Sequence, residues 1–161
     1  MKKTFATVLA VLGLIVIVST ALAAPAAAEV PLPFKGTIRE ATETHEVIFP
    51  YFYVNGNGTG EATYLGQFTY SYQAKIHLPD RVGEGLFAHF IAANGDSLFA
   101  EGTGKGVPTD TPNVALVTEN FTITGGTGRF EGASGSFVVV RTVNAITLEG
   151  SGEFDGIIVL P

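Results

Sequence analysis

The sequence has no cysteine, only three histidines, and nine basic residues against fifteen acidic ones. Each shortage excludes something. Without cysteine there is neither a disulfide framework nor a thiol for lipid attachment, so a packed core and a hydrogen-bonded sheet must supply the stability. His45, His77 and His89 show no His-Glu-x-x-His spacing, so no structural zinc is expected, and no other cofactor is implied. The formal charge of −6 argues against nucleic acid or an anionic membrane as partner. No Gly-x-Ser-x-Gly elbow is present, which excludes an α/β-hydrolase. Gly126-Thr127-Gly128 lacks the Gly-Lys-Ser/Thr ending of a phosphate loop and opens no helix. Also missing, from Glu29 onward, is any run of ten or more residues with apolar positions spaced by three and four.

The N-terminus is different in kind. Lys2 and Lys3, an apolar stretch from Val8 to Val18 and small residues through Ala28 have the layout of a secretory signal-peptide helix. Ala21-Leu22-Ala23 and Ala26-Ala27-Ala28 both fit the cleavage rule, so residues 1–28 are read as the signal and 29–161 as a single β-barrel domain. With its flanks the apolar stretch approaches the roughly 20 residues of a membrane span, which leaves an uncleaved anchor as the alternative. Small residues rather than a polar stop signal follow it, which favours cleavage, no stable span, and a secreted or periplasmic protein. Losing Lys2 and Lys3 takes the basic count from 9 to 7 against 15 acids, a net charge of −8.

In the remainder, period-two alternation bounded by Gly, Pro, Asn and Asp recurs, which predicts an all-β chain. Phe34 to Thr42 is the first strand, with Phe34 and Ile38 on one face, and Glu43-Thr44-His45-Glu46 reads as a solvated loop. Val47 to Val54 follows as a strand whose Pro50 implies an edge or a bulge, and Asn55 to Gly60 breaks it. The clearest strand is Gln67 to Leu78, alternating Phe68, Tyr70, Tyr72, Ala74, Ile76 and Leu78 with polar residues. Glu84 to Ala93 and Ser97 to Gly104 flank the hairpin signal Asn94-Gly95-Asp96, and Lys105 to Asn113 is the longest irregular link. Ala115 to Thr124 and Ser136 to Arg141 form a hairpin about a Gly-rich corner. Val143 to Ile146 then turns the chain into a last strand, Thr147 to Leu160. The tally is eight strands, so an eight-stranded antiparallel up-and-down β-barrel is predicted, with a two-sheet sandwich as the alternative.

The corner Thr124-Gly-Gly-Thr-Gly-Arg-Phe-Glu-Gly-Ala-Ser-Gly-Ser-Phe137 resembles the Gly-Gly-Thr-Gly-x-Phe-x-x-Ala-x-Gly stretch of the allene oxide cyclase and dirigent β-barrel superfamily. The Ala92-Ala-Asn-Gly-Asp96 hairpin and Tyr64-Leu-Gly-Gln-Phe68 are similar to small exported bacterial members. The resemblance implies an eight-stranded barrel that binds or guides a small hydrophobic molecule, in a superfamily that often forms trimers. The residues carrying the plant members' activities find no match beyond this structural corner.

A corner folded symmetrically about Phe130 places Ile123 opposite Phe137, Phe121 opposite Val139 and Glu119 opposite Arg141, an acid and a base on an otherwise apolar face. A buried charge survives there only if paired, so Glu119 and Arg141 are candidate ligand-binding residues, or else a register-fixing ion pair. His89, between apolar neighbours, is a third candidate, and Tyr70, Tyr72 and Phe121 supply aromatic area, as do Tyr51 and Tyr53. No catalytic residue is assigned. Three functions fit: a binder of a small apolar molecule, a cyclase or isomerase in which Glu119 is acid or base and Arg141 holds an anion, and an envelope protein with a solidly filled barrel.

Overall fold

The computed structural model describes residues 30–161; the signal peptide expected over residues 1–28 lies outside them. Eight antiparallel strands close into one barrel in chain order: β1 (Leu32–Ile48), β2 (Tyr51–Ala62), β3 (Gly66–His77), β4 (Val82–Ala92), β5 (Ser97–Pro108), β6 (Val114–Gly126), β7 (Ser134–Asn144) and β8 (Glu149–Val159). The last strand pairs with the first, from Leu32 against Ile158 to Ala41 against Glu149, so no sheet edge is left open. The sandwich alternative is therefore excluded. Among the described residues no helix is long and apolar enough to cross a membrane.

Strand β1 is longer than the alternation suggested. Thr44, His45 and Glu46 pair with Asn55, Val54 and Tyr53, and the register shift between Thr42 and Thr44 marks a bulge at Glu43. The break falls instead at Phe49 and Pro50, which form the tip of the β1–β2 hairpin. Asn55 to Gly60 likewise continues β2. Its glycines are not breakers: Gly56, Gly58 and Gly60 sit directly across from Tyr72, Tyr70 and Phe68 of β3. A Cβ at any of the three would collide with the ring opposite and with a carbonyl of β1. The glycines are the floor on which three inward aromatic rings lie, which is why a Gly-rich stretch is strand here. Replacing Gly58 by alanine is expected to cost about 1 to 3 kcal/mol, because one of the two obstacles is backbone and cannot swing away. Urea titration of the variant checks this; an unchanged midpoint would contradict the packing.

Three further boundaries move. β5 runs on to Pro108, pairing Lys105 with Thr118 and Val107 with Leu116, so only Thr109 to Asn113 links it to β6. β7 extends to Asn144, and β8 begins at Glu149. In the central hairpin the register differs by two residues: Phe121 faces Phe137, Glu119 faces Val139 and Val117 faces Arg141. The cause is Phe130. A short 3-10 turn over Gly128–Phe130 tucks its ring wholly inside the barrel, so Phe130 is not the apex of a symmetric loop. A shift of two preserves which face each residue occupies.

The two ends of the barrel differ. At the end carrying the β2–β3, β4–β5 and β6–β7 connections, Phe34, Leu65, Leu98, Phe130 and Ile158 are the most deeply buried side chains and plug the interior. Above them Phe137 contacts Phe34, Phe121 and Phe154 at centroid distances of 5.2 to 5.3 Å. Toward the opposite end the inward positions become small or absent: Gly102, Gly104 and Gly106 on β5, Gly150 and Gly152 on β8, and Ala74 on β3. Half the barrel is filled and half is not.

Candidate functional site

At the level where packing stops, three strands bring charged side chains inward. β1 supplies Glu40, β6 supplies Glu119 and β7 supplies Arg141. The Arg141 Nε donates to Glu119 Oε2 at 2.9 Å and Nη2 donates to Glu119 Oε1 at 2.7 Å, a bidentate fork, while Nη1 donates to Glu40 Oε1. Tyr70 completes the set by donating its hydroxyl to Glu40 Oε2 at 2.8 Å, and Tyr72 shares a 3.0 Å hydrogen bond with Thr42. The carboxylate side chains are 4% and 9% exposed and that of Arg141 is 12% exposed. Among the described residues no buried side-chain polar atom lacks a partner.

Local sequence makes room for each charge. Gly104 faces Glu119 across the β5–β6 ladder, Gly152 faces Arg141, and Gly150 lies beside the Glu40 carboxylate. A Cβ at Gly104 would stand 2.6 Å from Glu119 Cγ, and one at Gly150 would stand 2.8 Å from Glu40 Oε1. The two-residue register difference sets how the central pair meets. Arg141 lies diagonally from Glu119 rather than across from it, a separation that a long guanidinium side chain spans.

Burial raises the Glu40 carboxyl above its ordinary range, and the neighbouring Arg141 and the Tyr70 hydrogen bond only partly offset that. Tyr70 is raised as well, first by burial and then by the Glu40 charge beside it, and so is Tyr72. Burial pulls the Arg141 guanidinium down, but its hydrogen bonds to Glu119 and the charges of Glu119 and Glu40 push it higher still. Arg141 therefore stays a cation.

This cluster is the floor of a cavity of about 440 Å³ that opens at the end of the barrel opposite Phe130. Its walls are mainly apolar, with Phe52, Val54, Ala74, Ile76, Leu86 and Val117 among them, and Tyr72 stands beside the floor. Arg81 and Lys105 reach its rim, both exposed, and neither is in an ion pair among the described residues. Arg81 and Leu148, in the turns that border this mouth, hold left-handed backbone at φ of 57° and 58°. A depression of about 590 Å³ over Thr37, Thr59 and Thr69 lies on the outer wall, is wider open to solvent, and is bordered by the charged side chains Arg39 and Glu61.

Of the side chains singled out from the sequence, Glu119, Arg141 and Tyr72 meet at this cavity. Tyr70 and Phe121 point inward but lie beneath the floor, around a void of about 30 Å³. His89 does not join them. It shares the outer face of β4 with Phe87 and Ile91, lies tilted against the Phe99 ring at 4.8 Å and meets the Ser97 hydroxyl at 3.0 Å. Tyr51 and Tyr53 also lie on the outer wall, where Lys75 sits over the Tyr51 ring. No family model, characterised protein or solved structure matches the chain. The reading of the site therefore stands on its geometry.

Glu40 and Phe52 are the contributors that sequence reasoning passed over. Glu40 has the same parity as Phe34 and Ile38, so continuing that count by one more step would have placed it inside. Phe52 was hidden by the assumption that Val47 to Val54 was a single strand with no tip at Pro50.

Proposed function

We propose that the protein binds a small, mainly apolar molecule through the open end of its barrel. The observation that carries this reading is the half-empty interior, a cavity of about 440 Å³ with apolar walls and a few polar groups gathered at its base. Pockets for small ligands commonly enclose roughly 300 to 1,000 Å³ and combine the same two features. A solidly filled envelope barrel needs a packed interior, which only one half supplies. A cyclase using Arg141 to hold an anion needs an uncompensated guanidinium, yet three of its five N–H groups already donate to Glu40 and Glu119, two carboxylates beside a single cation. The reading carries with it the export implied by residues 1–28 and the hydrophobic-ligand role implied by the resemblance at Thr124 to Phe137.

The neutral fluorescent probe N-phenylnaphthylamine is expected to bind saturably at one site. Ala74→Trp places an indole in the cavity mouth, from a half-buried position on its wall, and is expected to abolish that binding with the circular-dichroism spectrum unchanged. Probe binding that survives the tryptophan would move the site elsewhere, and no binding by the unaltered protein would remove the proposal.

A further inference from the structure

The floor of the cavity carries two carboxylates and one guanidinium, so with both acids ionised one unit of negative charge is left over. Nothing else at the floor balances it. Tyr70 and Tyr72 are neutral donors, and the rim cations Arg81 and Lys105 are exposed, where water and salt screen them. A buried excess charge is costly, and it is relieved either by a proton on Glu40, whose carboxyl burial raises, or by a cation delivered by the ligand in that proton's place. Aromatic surface stands ready for such a cation: Tyr72 beside the floor and Phe52 on the wall.

Resting on the binding function proposed above, we propose that the cavity selects an apolar molecule with a primary amine head, inserted head first so that the ammonium lies against Glu40 and Glu119 beside Tyr72. A carboxylate head is repelled from the same position, because the Arg141 guanidinium is already outnumbered there by the two glutamates it holds. An alcohol of the same length fits but leaves the excess charge in place. The side chains facing Glu40 are Tyr70 and Tyr72 from β3, Glu119 from β6 and Arg141 from β7. Of the tyrosines and Arg141, none titrates in the acid range, so the pH dependence argued here is that of Glu40, whose carboxyl burial raises.

Competition of octylamine, octanol and octanoate against N-phenylnaphthylamine tests the selection. Octylamine is expected to bind on the order of tenfold more tightly than octanol at neutral pH, since a charge-assisted contact replaces a neutral one, with octanoate the weakest. Glu40→Gln makes the floor neutral and is expected to erase the amine's advantage, read as the ratio of octylamine to octanol affinity in the same variant. Should that variant not fold, the unaltered protein gives the same information: the octylamine advantage falls as pH is lowered through the raised Glu40 titration, and octanol binding is flat. Octanol binding with no amine preference would overturn the inference alone. Equal or tighter binding of octanoate, or an amine preference indifferent to both Glu40→Gln and pH, would do the same. Failure of the probe and all three competitors would overturn the binding function as well.

Discussion

Arg141→Met is expected to lose about 3 to 5 kcal/mol of unfolding free energy at neutral pH, because it leaves two nearly buried carboxylates without their counter-charge. The loss should shrink on acidification. Glu40 is raised above its ordinary value by burial, so the folded protein holds that proton more tightly than the unfolded chain does. Its contribution is thus fully present below the usual glutamate range and is lost as pH rises through the raised folded value. Arg141 is the strongest influence opposing that rise, so removing it pushes Glu40 further up and widens the window in which the folded state is penalised. Denaturant titrations at neutral and mildly acidic pH should therefore give a large deficit and a smaller one. A second comparison separates charge from packing: Glu40→Gln, which still accepts from Tyr70, combined with Glu119→Leu and Arg141→Met removes every charge together. That triple variant should recover most of the lost stability, since a buried ion network replaced by uncharged groups of similar size is often neutral or better. A single Arg141→Met with no deficit at neutral pH would mean that the cluster is solvated and the cavity floor is not where it is drawn.

The sequence made the inside and outside of most strands legible, because period two survives any register error that is even. Glu119 and Arg141 were assigned opposite each other and are in fact diagonal, yet both still face inward, since the corner around Phe130 changes the register by two. The same tolerance did not extend to boundaries. Pro50 reads as an edge or a bulge within one strand and Asn55 to Gly60 as a break, whereas the proline sits at a hairpin tip and the glycines lie under Tyr72, Tyr70 and Phe68. A glycine's reason is carried by the strand beside it, and that neighbour is fixed only once the barrel closes. Glu40 was missed for a related reason. Its partners Arg141 and Tyr70 come from β7 and β3, and neither lies near it along the chain. What single-strand periodicity supplies is a face. Which charges share that face, and whether space is left above them, depends on side-chain volumes from all eight strands at one height in the barrel.

Phe137→Ala is expected to cost about 3 to 5 kcal/mol, comparable to the loss of Arg141 but with a different signature. Phe137 is 2% exposed, stacks on Phe121 across β6 and β7, and meets Phe34, Phe90 and Phe154 edge-on or tilted, so its removal leaves a gap bordered by rings that cannot all collapse into it. No ionisable group takes part in these contacts. The deficit should therefore be nearly the same at neutral and acidic pH, where that of Arg141→Met changes. The effect on binding should diverge too. Phe137 lies two inward steps below Arg141 on β7, separated from it by Val139, and it does not line the open cavity. At temperatures where the variant is still folded, N-phenylnaphthylamine should bind it with close to the affinity of the unaltered protein. Arg141→Met, by contrast, alters the cavity floor itself. Should Phe137→Ala abolish probe binding while remaining folded, the filled and empty halves of the barrel would not be independent, and the ionic cluster would not be the boundary between them.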